Sequence, residues 1–184
     1  MSNIECRSNC QFSNSIIVGK IENPIFKPNF ISLTVLSLPD LNLPPIHPQV
    51  QQVSGKTQIF DLLRKKYLTL TPEEWVRQHW IHFLINFQGY PKGLISLEKG
   101  LKYNQIQKRT DLVVFDRTGK PYLLIECKAP EIELSNTVLS QALAYHTSLL
   151  CPFVILSNGM NHISMEFSIV NKKFTQTANF PPVP

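Results

Sequence analysis

Two acidic residues and a lysine near the middle of the chain, Asp111, Glu126 and Lys128, have the types and spacing for metal-dependent chemistry. They lie at the ends of two apolar runs, residues 112–115 and 122–125, which a turn-forming stretch separates. This pattern predicts a β-hairpin. With the turn centred in that stretch, Asp111 faces Glu126 directly across the strand pair, and Lys128 points to the same face.

Like charges that face each other across a strand pair destabilise it, so the two carboxylates need a compensating cation. Mg²⁺ prefers oxygen ligands and is commonly held by one or two carboxylates together with waters and phosphate oxygens. Held by Asp111 and Glu126, it would activate a water for attack on a phosphodiester. Lys128 would stabilise the developing charge or help to deprotonate the water. The pattern therefore predicts a Mg²⁺ site in which Mn²⁺ can substitute, with a merely charged, solvated strand end as the alternative.

The segments around these residues resemble a known family. They are TPEEWVRQ at residues 71–78, RTD at 109–111, IECKAP at 125–130, Gln141 with Tyr145, and SNG at 157–159. Asp111, Glu126 and Lys128 match the D…(D/E)xK signature of restriction-endonuclease-like nucleases. Together the segments resemble the N-terminal nuclease domain of type I restriction enzyme R subunits, and more closely the short bacterial proteins that carry only that domain. The resemblance runs from about residue 41 to about residue 167. Thr110 replaces the usual proline before Asp111.

The resemblance implies a restriction-endonuclease-like α/β sandwich, with a mixed central β-sheet flanked by helices. In such nucleases a glutamate of the first helix lies beside the metal, which implies a catalytic role for Glu74. A Gln/Tyr pair on the later helix contacts DNA, which implies that role for Gln141 and Tyr145. The residues alone favour a different role for Glu74, because it forms a capping box with Thr71 at the start of a helix.

Further polar and basic residues are candidates for contacts with DNA phosphates. They are Arg77 and Gln78 on the first helix, and Lys102, Lys108 and Arg109 along one edge of the predicted sheet. A strand at residues 93–99 that pairs with the one beginning at Arg109 would place Glu98 opposite Arg109. The net charge of +5 and the pI near 9.1 fit a polyanionic partner, although many basic proteins bind no nucleic acid.

The segment SGKT at residues 54–57 ends like a phosphate-binding loop, but Val50 stands where that motif requires its first glycine. We interpret the segment as a polar loop, so no ATP site and no motor are expected. Two functions of different classes remain. One is a Mg²⁺-dependent DNA endonuclease, and the other is a nuclease-fold module that binds DNA or a partner protein without turnover in isolation. A partner that supplies specificity or a motor is compatible with either.

The 184-residue chain divides into three parts. Residues 1–40 are predicted to be a peripheral extension, residues 41–178 the nuclease-like domain, and residues 179–184 a flexible tail. Residues 58–70 fit either a short helix or a strand pair. The four cysteines have no metal-ligand spacing. The absence of a long apolar run and of a basic N-terminal region predicts a cytoplasmic protein without a membrane span.

Overall fold

The structure is a computed structural model that describes residues 38–97, 100–103, 106–109 and 111–184, with the backbone alone at 100–103, 106–109 and 144–149. The described residues form eleven strands and two α-helices. In chain order these are β1 Val50–Val53, β2 Lys56–Asp61, β3 Lys66–Thr69, α1 Pro72–His82, β4 Ile95–Leu97, β5 Gly100–Tyr103, β6 Ile106–Arg109, β7 Leu112–Phe115, β8 Pro121–Cys127, α2 Asn136–Leu149, β9 Phe153–Ser157, β10 His162–Ser168 and β11 Lys173–Gln176. The part of the predicted extension up to residue 37 lies outside the described residues.

The central sheet has six strands in the order β11-β10-β9-β8-β7-β4. The neighbours β8 and β9 run parallel, and the other pairs are antiparallel. In the predicted hairpin β7–β8, Leu112 faces Ile125 and Val113 faces Leu124, which is the register expected from the sequence. The predicted α/β sandwich with a mixed central sheet is confirmed.

The two α-helices cover opposite faces of this sheet, because successive strand residues point to opposite sides. Leu112 and Ile125 belong to the apolar cluster that includes Trp80 of α1. Their neighbours Val113 and Leu124 belong to a second cluster, which includes residues of α2. The inner strands β7, β8 and β9 are therefore buried on both sides, and they are largely apolar rather than alternating.

A second, three-stranded antiparallel sheet, β1-β2-β3, precedes α1. Residues 58–70, for which the sequence left helix and strand open, are thus mainly strand. Ser54 and Gly55 both have positive φ, 51° and 74°, and they form the two-residue turn between β1 and β2. Such a turn favours these backbone angles because its twist matches that of the strands. Of the predicted polar loop at residues 54–57, the first two residues form this turn, whereas Lys56 and Thr57 begin β2.

The register predicted for the first core strand is wrong. Arg109 pairs with Gly100 in the two-stranded sheet β5–β6, two residues away from the expected partner Glu98, which lies outside the described residues. The hairpin midpoint falls one residue later than the sequence suggests, so every pairing shifts by two positions.

The sequence predicts a flexible tail at residues 179–184, but in the structure these last residues pack on the core. The Phe180 ring lies 5.3 Å from Phe83 and 6.3 Å from Trp80. The hydroxyl of Tyr90 donates to the carbonyl of Pro181 at 2.8 Å, and the hydroxyl of Tyr122 donates to that of Pro182 at 3.0 Å. A proline-rich sequence suggests disorder. Here, however, its carbonyls accept hydrogen bonds from two tyrosine hydroxyls, and its one aromatic ring packs on α1.

The segment before β1 also wraps over the core. Asn42 donates its N–H to the carbonyl of Gly159 at 2.8 Å, and its own carbonyl accepts from His162 Nε2 at 2.9 Å. The other ring nitrogen of His162 accepts from the Ser157 hydroxyl at 2.8 Å. These bonds join the N-terminal wrap to the turn after β9. In the described ranges, no helix has the length and apolar character needed to cross a membrane.

We expect Gly159→Ala to lower the free energy of unfolding strongly. Gly159 has φ +81°, and an added Cβ would lie 2.8 Å from Leu41 Cδ2 and 3.1 Å from Val76 Cγ2. The strained backbone and the overpacking together should cost about 2–4 kcal/mol. Gly119→Ala is the matched control, since Gly119 has φ +82° with nothing within 4 Å, and it should cost only about 1 kcal/mol. Urea unfolding measures both, and equal losses would contradict the close packing at Gly159.

Candidate active site

Asp111 and Glu126 meet at one end of the β7–β8 hairpin. Asp111 directly precedes β7, and its Oδ2 accepts from the backbone N–H of Cys127 at 2.8 Å. Because Leu112 faces Ile125, the next positions outward are Asp111 and Glu126. The structure therefore brings together the two carboxylates that the sequence predicts to be neighbours.

Lys128 lies just beyond β8 and contacts the second carboxylate. Its Nζ donates to Glu126 Oε1 at 2.9 Å, and its backbone N–H donates to the Ser157 carbonyl at 2.7 Å. Burial raises the pKa of Glu126, Asp111 raises it further, and the hydrogen bond from Lys128 opposes both. Burial lowers the pKa of Lys128, but the hydrogen bond and the charge of Glu126 raise it more, so the net shift is upward. Lys128 thus stays a cation near neutral pH.

The loop after Lys128 is held in place by Asn158, the middle residue of the SNG segment. Its Nδ2 donates to the carbonyl of Ile132 at 2.8 Å, and its Oδ1 accepts from the N–H of Asn161 at 2.7 Å. The SNG segment therefore has a structural role here, since it joins the loop after β8 to the turn after β9.

Helix α1 begins as the sequence predicts. The Thr71 hydroxyl accepts from the N–H of Glu74 at 3.0 Å, and Pro72 occupies the first turn. The carboxylate of Glu74 does not complete the capping box. It accepts from Gln78 Nε2 at 2.9 Å and from Arg77 instead. This arrangement directs Glu74 toward the site, and burial raises its pKa, whereas Gln78 and Arg77 lower it.

Arg77 bridges the helix and the hairpin. One guanidinium nitrogen donates to Glu74 Oε2, and the other donates to Asp111 Oδ1 at 2.7 Å. Burial lowers the pKa of Arg77, but the charges of Asp111 and Glu74 raise it by more than burial lowers it. The net shift of the pKa is therefore upward. The prediction of a phosphate contact for Arg77 stays a prediction. In this structure the guanidinium neutralises two carboxylates and lies between them.

Gln78 is fully buried rather than exposed to solvent. Its Nε2 donates to Glu74 Oε1 and, at 3.1 Å, to Asp61 Oδ2. Asp61 is also fully buried, and the sequence reasoning missed it. The signal was present, since an acidic residue interrupts the apolar stretch IFDLL at residues 59–63 and begins a turn with its own side chain.

Of the remaining candidates for DNA contacts, only Gln141 has a side chain that the structure describes. Gln141 is exposed on α2, and no hydrogen bond between described residues joins it to the carboxylates. The side chain of Tyr145 lies outside the described part of the chain. So do the side chains of Lys102, Lys108 and Arg109, whose backbone forms the β5–β6 hairpin. These roles stay predictions.

The residues at the hairpin end fit a Mg²⁺ ion that keeps several non-protein ligands. The side chains of Asp111 and Glu126 are 14% and 15% exposed, so an ion can reach them. Among the described residues, no group of three or more His, Cys, Asp and Glu could hold a metal. Waters and phosphate oxygens would have to complete the coordination, which is usual for Mg²⁺. Burial, and then the charge of Asp111, raise the pKa of Glu126, and a bound cation would favour the charged form of both carboxylates.

Comparisons with known proteins show the family of the chain. The family model described as type I restriction enzyme R protein N terminus (HSDR_N) matches residues 72–181, more than half of the chain. A fragment structure assigned to an HsdR subunit of a type I restriction enzyme from Vibrio vulnificus YJ016 is similar over 61% of this chain and 24% of that chain, with 20% identity and a TM-score of 0.44. No curated protein sequence matches the chain significantly. From the family match we conclude that the chain belongs to the family of type I restriction enzyme R protein N-terminal domains.

Proposed function

We propose that this domain is a Mg²⁺-dependent DNA phosphodiesterase, an endonuclease-like module of the restriction-modification type. The observation that supports it most is the convergence of Asp111, Glu126 and Lys128 at one end of the β7–β8 hairpin, with an Nζ to Oε1 distance of 2.9 Å. Asp111 and Glu126 would hold the metal. When bound, Mg²⁺ would supply Lewis acidity toward a phosphate oxygen and increase the acidity of a water.

Lys128 acts by charge rather than as a base in this proposal. Its pKa lies above the usual value because of Glu126, so the ammonium keeps its proton at neutral pH. A fixed ammonium beside the scissile phosphate stabilises the negative charge that develops there. Of the two roles that the sequence left open for Lys128, the environment supports charge stabilisation.

In this proposal Glu74 acts on Asp111 indirectly, through Arg77. The guanidinium separates Glu74 from Asp111, so Glu74 would become a metal ligand only after Arg77 moved. In the observed arrangement, Glu74 holds Arg77 against Asp111 and thereby fixes the direction of the Asp111 carboxylate. Arg77 offers a positive charge next to the site, where phosphate oxygens would be attracted.

DNA is the proposed substrate because its backbone matches both the metal site and the basic character of the chain. The family description names the R protein of a type I restriction enzyme, which suggests a multi-subunit setting. A partner that supplies specificity or a motor is therefore part of the proposal.

Titration of Mg²⁺ and Mn²⁺ against supercoiled, linear and single-stranded DNA tests this function. We expect cleavage that requires a divalent ion and stops in EDTA, because two carboxylates without a metal cannot activate water next to a polyanion. Agarose gels resolve nicked and linear products from intact plasmid. DNA binding without cleavage under all metal conditions would instead support the binding-module alternative.

A further inference from the structure

The turn between β2 and β3, residues 62–65, carries exposed positive charge. Lys65 and the next residue, Lys66, are both exposed, and no ion pair within the described residues engages either of them. The family match begins at residue 72, so this turn and its whole sheet lie outside the matched segment. Its charges therefore need an explanation of their own.

The turn is firmly docked on the domain. The carboxylate of the fully buried Asp61 accepts from the backbone N–H groups of Leu63 at 2.8 Å and Arg64 at 2.7 Å. It also accepts from the Arg64 guanidinium at 2.8 Å. Leu62 and Leu63 pack against the apolar cluster beneath α1. These hydrogen bonds and apolar contacts fix the turn, so its lysines project from a rigid base.

The same Asp61 ties the turn to the candidate active site. Gln78 donates to Asp61 at 3.1 Å and to Glu74 at 2.9 Å. Glu74 accepts from Arg77, and Arg77 donates to Asp111 at 2.7 Å. A continuous chain of buried polar contacts thus runs from the base of the turn to the metal-site carboxylate. The backbone at the base of the turn is therefore held in a fixed position relative to Asp111.

We propose that Lys65 and Lys66 form a phosphate-binding site for the DNA backbone that flanks the scissile bond, and that the contacts from Asp61 through Gln78 hold this site in register with Asp111. The inference rests on the proposed function. Duplex DNA carries a charge about every 1.7 Å along its axis, so a duplex seated at Asp111 carries many phosphates on either side of the scissile bond that a basic turn can bind. The contacts would be independent of sequence, because phosphates carry no base information.

The matched control lies in the hairpin turn between β10 and β11. Lys172 has φ 51°, and Lys65 has φ 52°; in both turns the next residue is an exposed lysine that begins a strand. His162 at the start of β10 pairs with Ser157, at the site end of the sheet. Lys172 follows the other end of β10 and so lies away from the site.

The experiment measures binding of a short fluorescent duplex to the full chain by anisotropy, in EDTA and over a range of salt. We expect Lys65→Glu with Lys66→Glu to weaken binding on the order of tenfold or more near 0.1 M salt, and to reduce the slope of log K against log salt by about 2. Lys172→Glu with Lys173→Glu should leave both values near wild type. The milder pair Lys65→Gln and Lys66→Gln should give an intermediate loss, and thermal melts of all variants should match.

The outcomes separate this inference from the proposed function. If the wild type cleaves DNA but both glutamate pairs weaken binding equally, the effect is one of net charge and the site at Lys65 is refuted. If wild-type affinity and salt slope survive in the Lys65 and Lys66 variants, the site is likewise refuted, while the nuclease assignment stands. A wild type that neither binds nor cleaves DNA overturns both.

Discussion

Asp111→Asn and Glu126→Gln should each reduce Mg²⁺-dependent DNA cleavage on the order of a thousandfold or more, because each removes one of the two charged oxygen ligands proposed for the metal. Lys128→Ala should reduce cleavage on the order of a hundredfold while metal binding survives, since an ammonium is not a metal ligand. Initial rates of plasmid nicking at saturating Mg²⁺ measure all three. The control is Lys120→Ala, which should retain the wild-type rate. Lys120 is exposed in the β7–β8 turn, at the other end of the same hairpin.

The two acid variants should differ in stability, although each removes the repulsion between the two carboxylates. The charge of Asp111 is paired with Arg77, so Asp111→Asn breaks a largely buried pair and should cost up to about 3 kcal/mol. Glu126 is destabilised by burial and by Asp111, so Glu126→Gln should be neutral or stabilising in EDTA. Urea unfolding measures the difference. Equal stability changes in the two variants would contradict the bridging role of Arg77.

Arg77→Met should lower the free energy of unfolding in EDTA by about 3–5 kcal/mol. The methionine keeps an apolar stem but leaves Glu74 and Asp111 without the guanidinium between them, and removal of one partner of a buried pair leaves uncompensated charge. A divalent ion should restore much of the lost free energy of unfolding, because it neutralises the carboxylates in place of the guanidinium. Binding to the folded state also stabilises that state by mass action. The melting temperature of the variant should therefore rise with Mg²⁺ more steeply than that of the wild type.

The control for Arg77 is Arg117→Met in the exposed turn of the β7–β8 hairpin, which should change stability by less than about 0.5 kcal/mol. Chemical unfolding of the wild type and the two variants, each in EDTA and in Mg²⁺, gives the six free energies of unfolding that are needed. If Arg77→Met were as stable as the wild type in EDTA, or were indifferent to Mg²⁺, Arg77 would not compensate the two carboxylates as the geometry indicates.

The hairpin and the facing of the two carboxylates at its end were predictable from the sequence because their signals are local. Once the turn is placed between the two apolar runs, the acids at their outer ends, Asp111 and Glu126, must face each other. The start of α1 is similarly local, since Thr71 and Pro72 mark it within one turn. Such patterns concern neighbours in the chain, and backbone geometry converts them directly into position.

The rest of the site depends on contacts between distant segments. Asp61 meets Gln78, and Arg77 meets Asp111, only after β2, α1 and β7 have packed together. Glu74 satisfies the local pattern of a capping box, yet tertiary partners take its carboxylate. The packing of Phe180 on Trp80 likewise joins the C-terminal segment to α1, and no periodicity in a proline-rich tail encodes it.

Calorimetric titration of Mn²⁺ into the wild type and into Asp111→Asn, Glu126→Gln and Lys128→Ala tests the metal site most directly, since it requires neither DNA nor turnover. We expect one class of site in the wild type, strongly weakened binding in both acid variants, and near wild-type affinity in Lys128→Ala. Unchanged Mn²⁺ affinity in both acid variants would contradict the site at the end of the β7–β8 hairpin, and with it the metal-dependent nuclease function proposed for this domain.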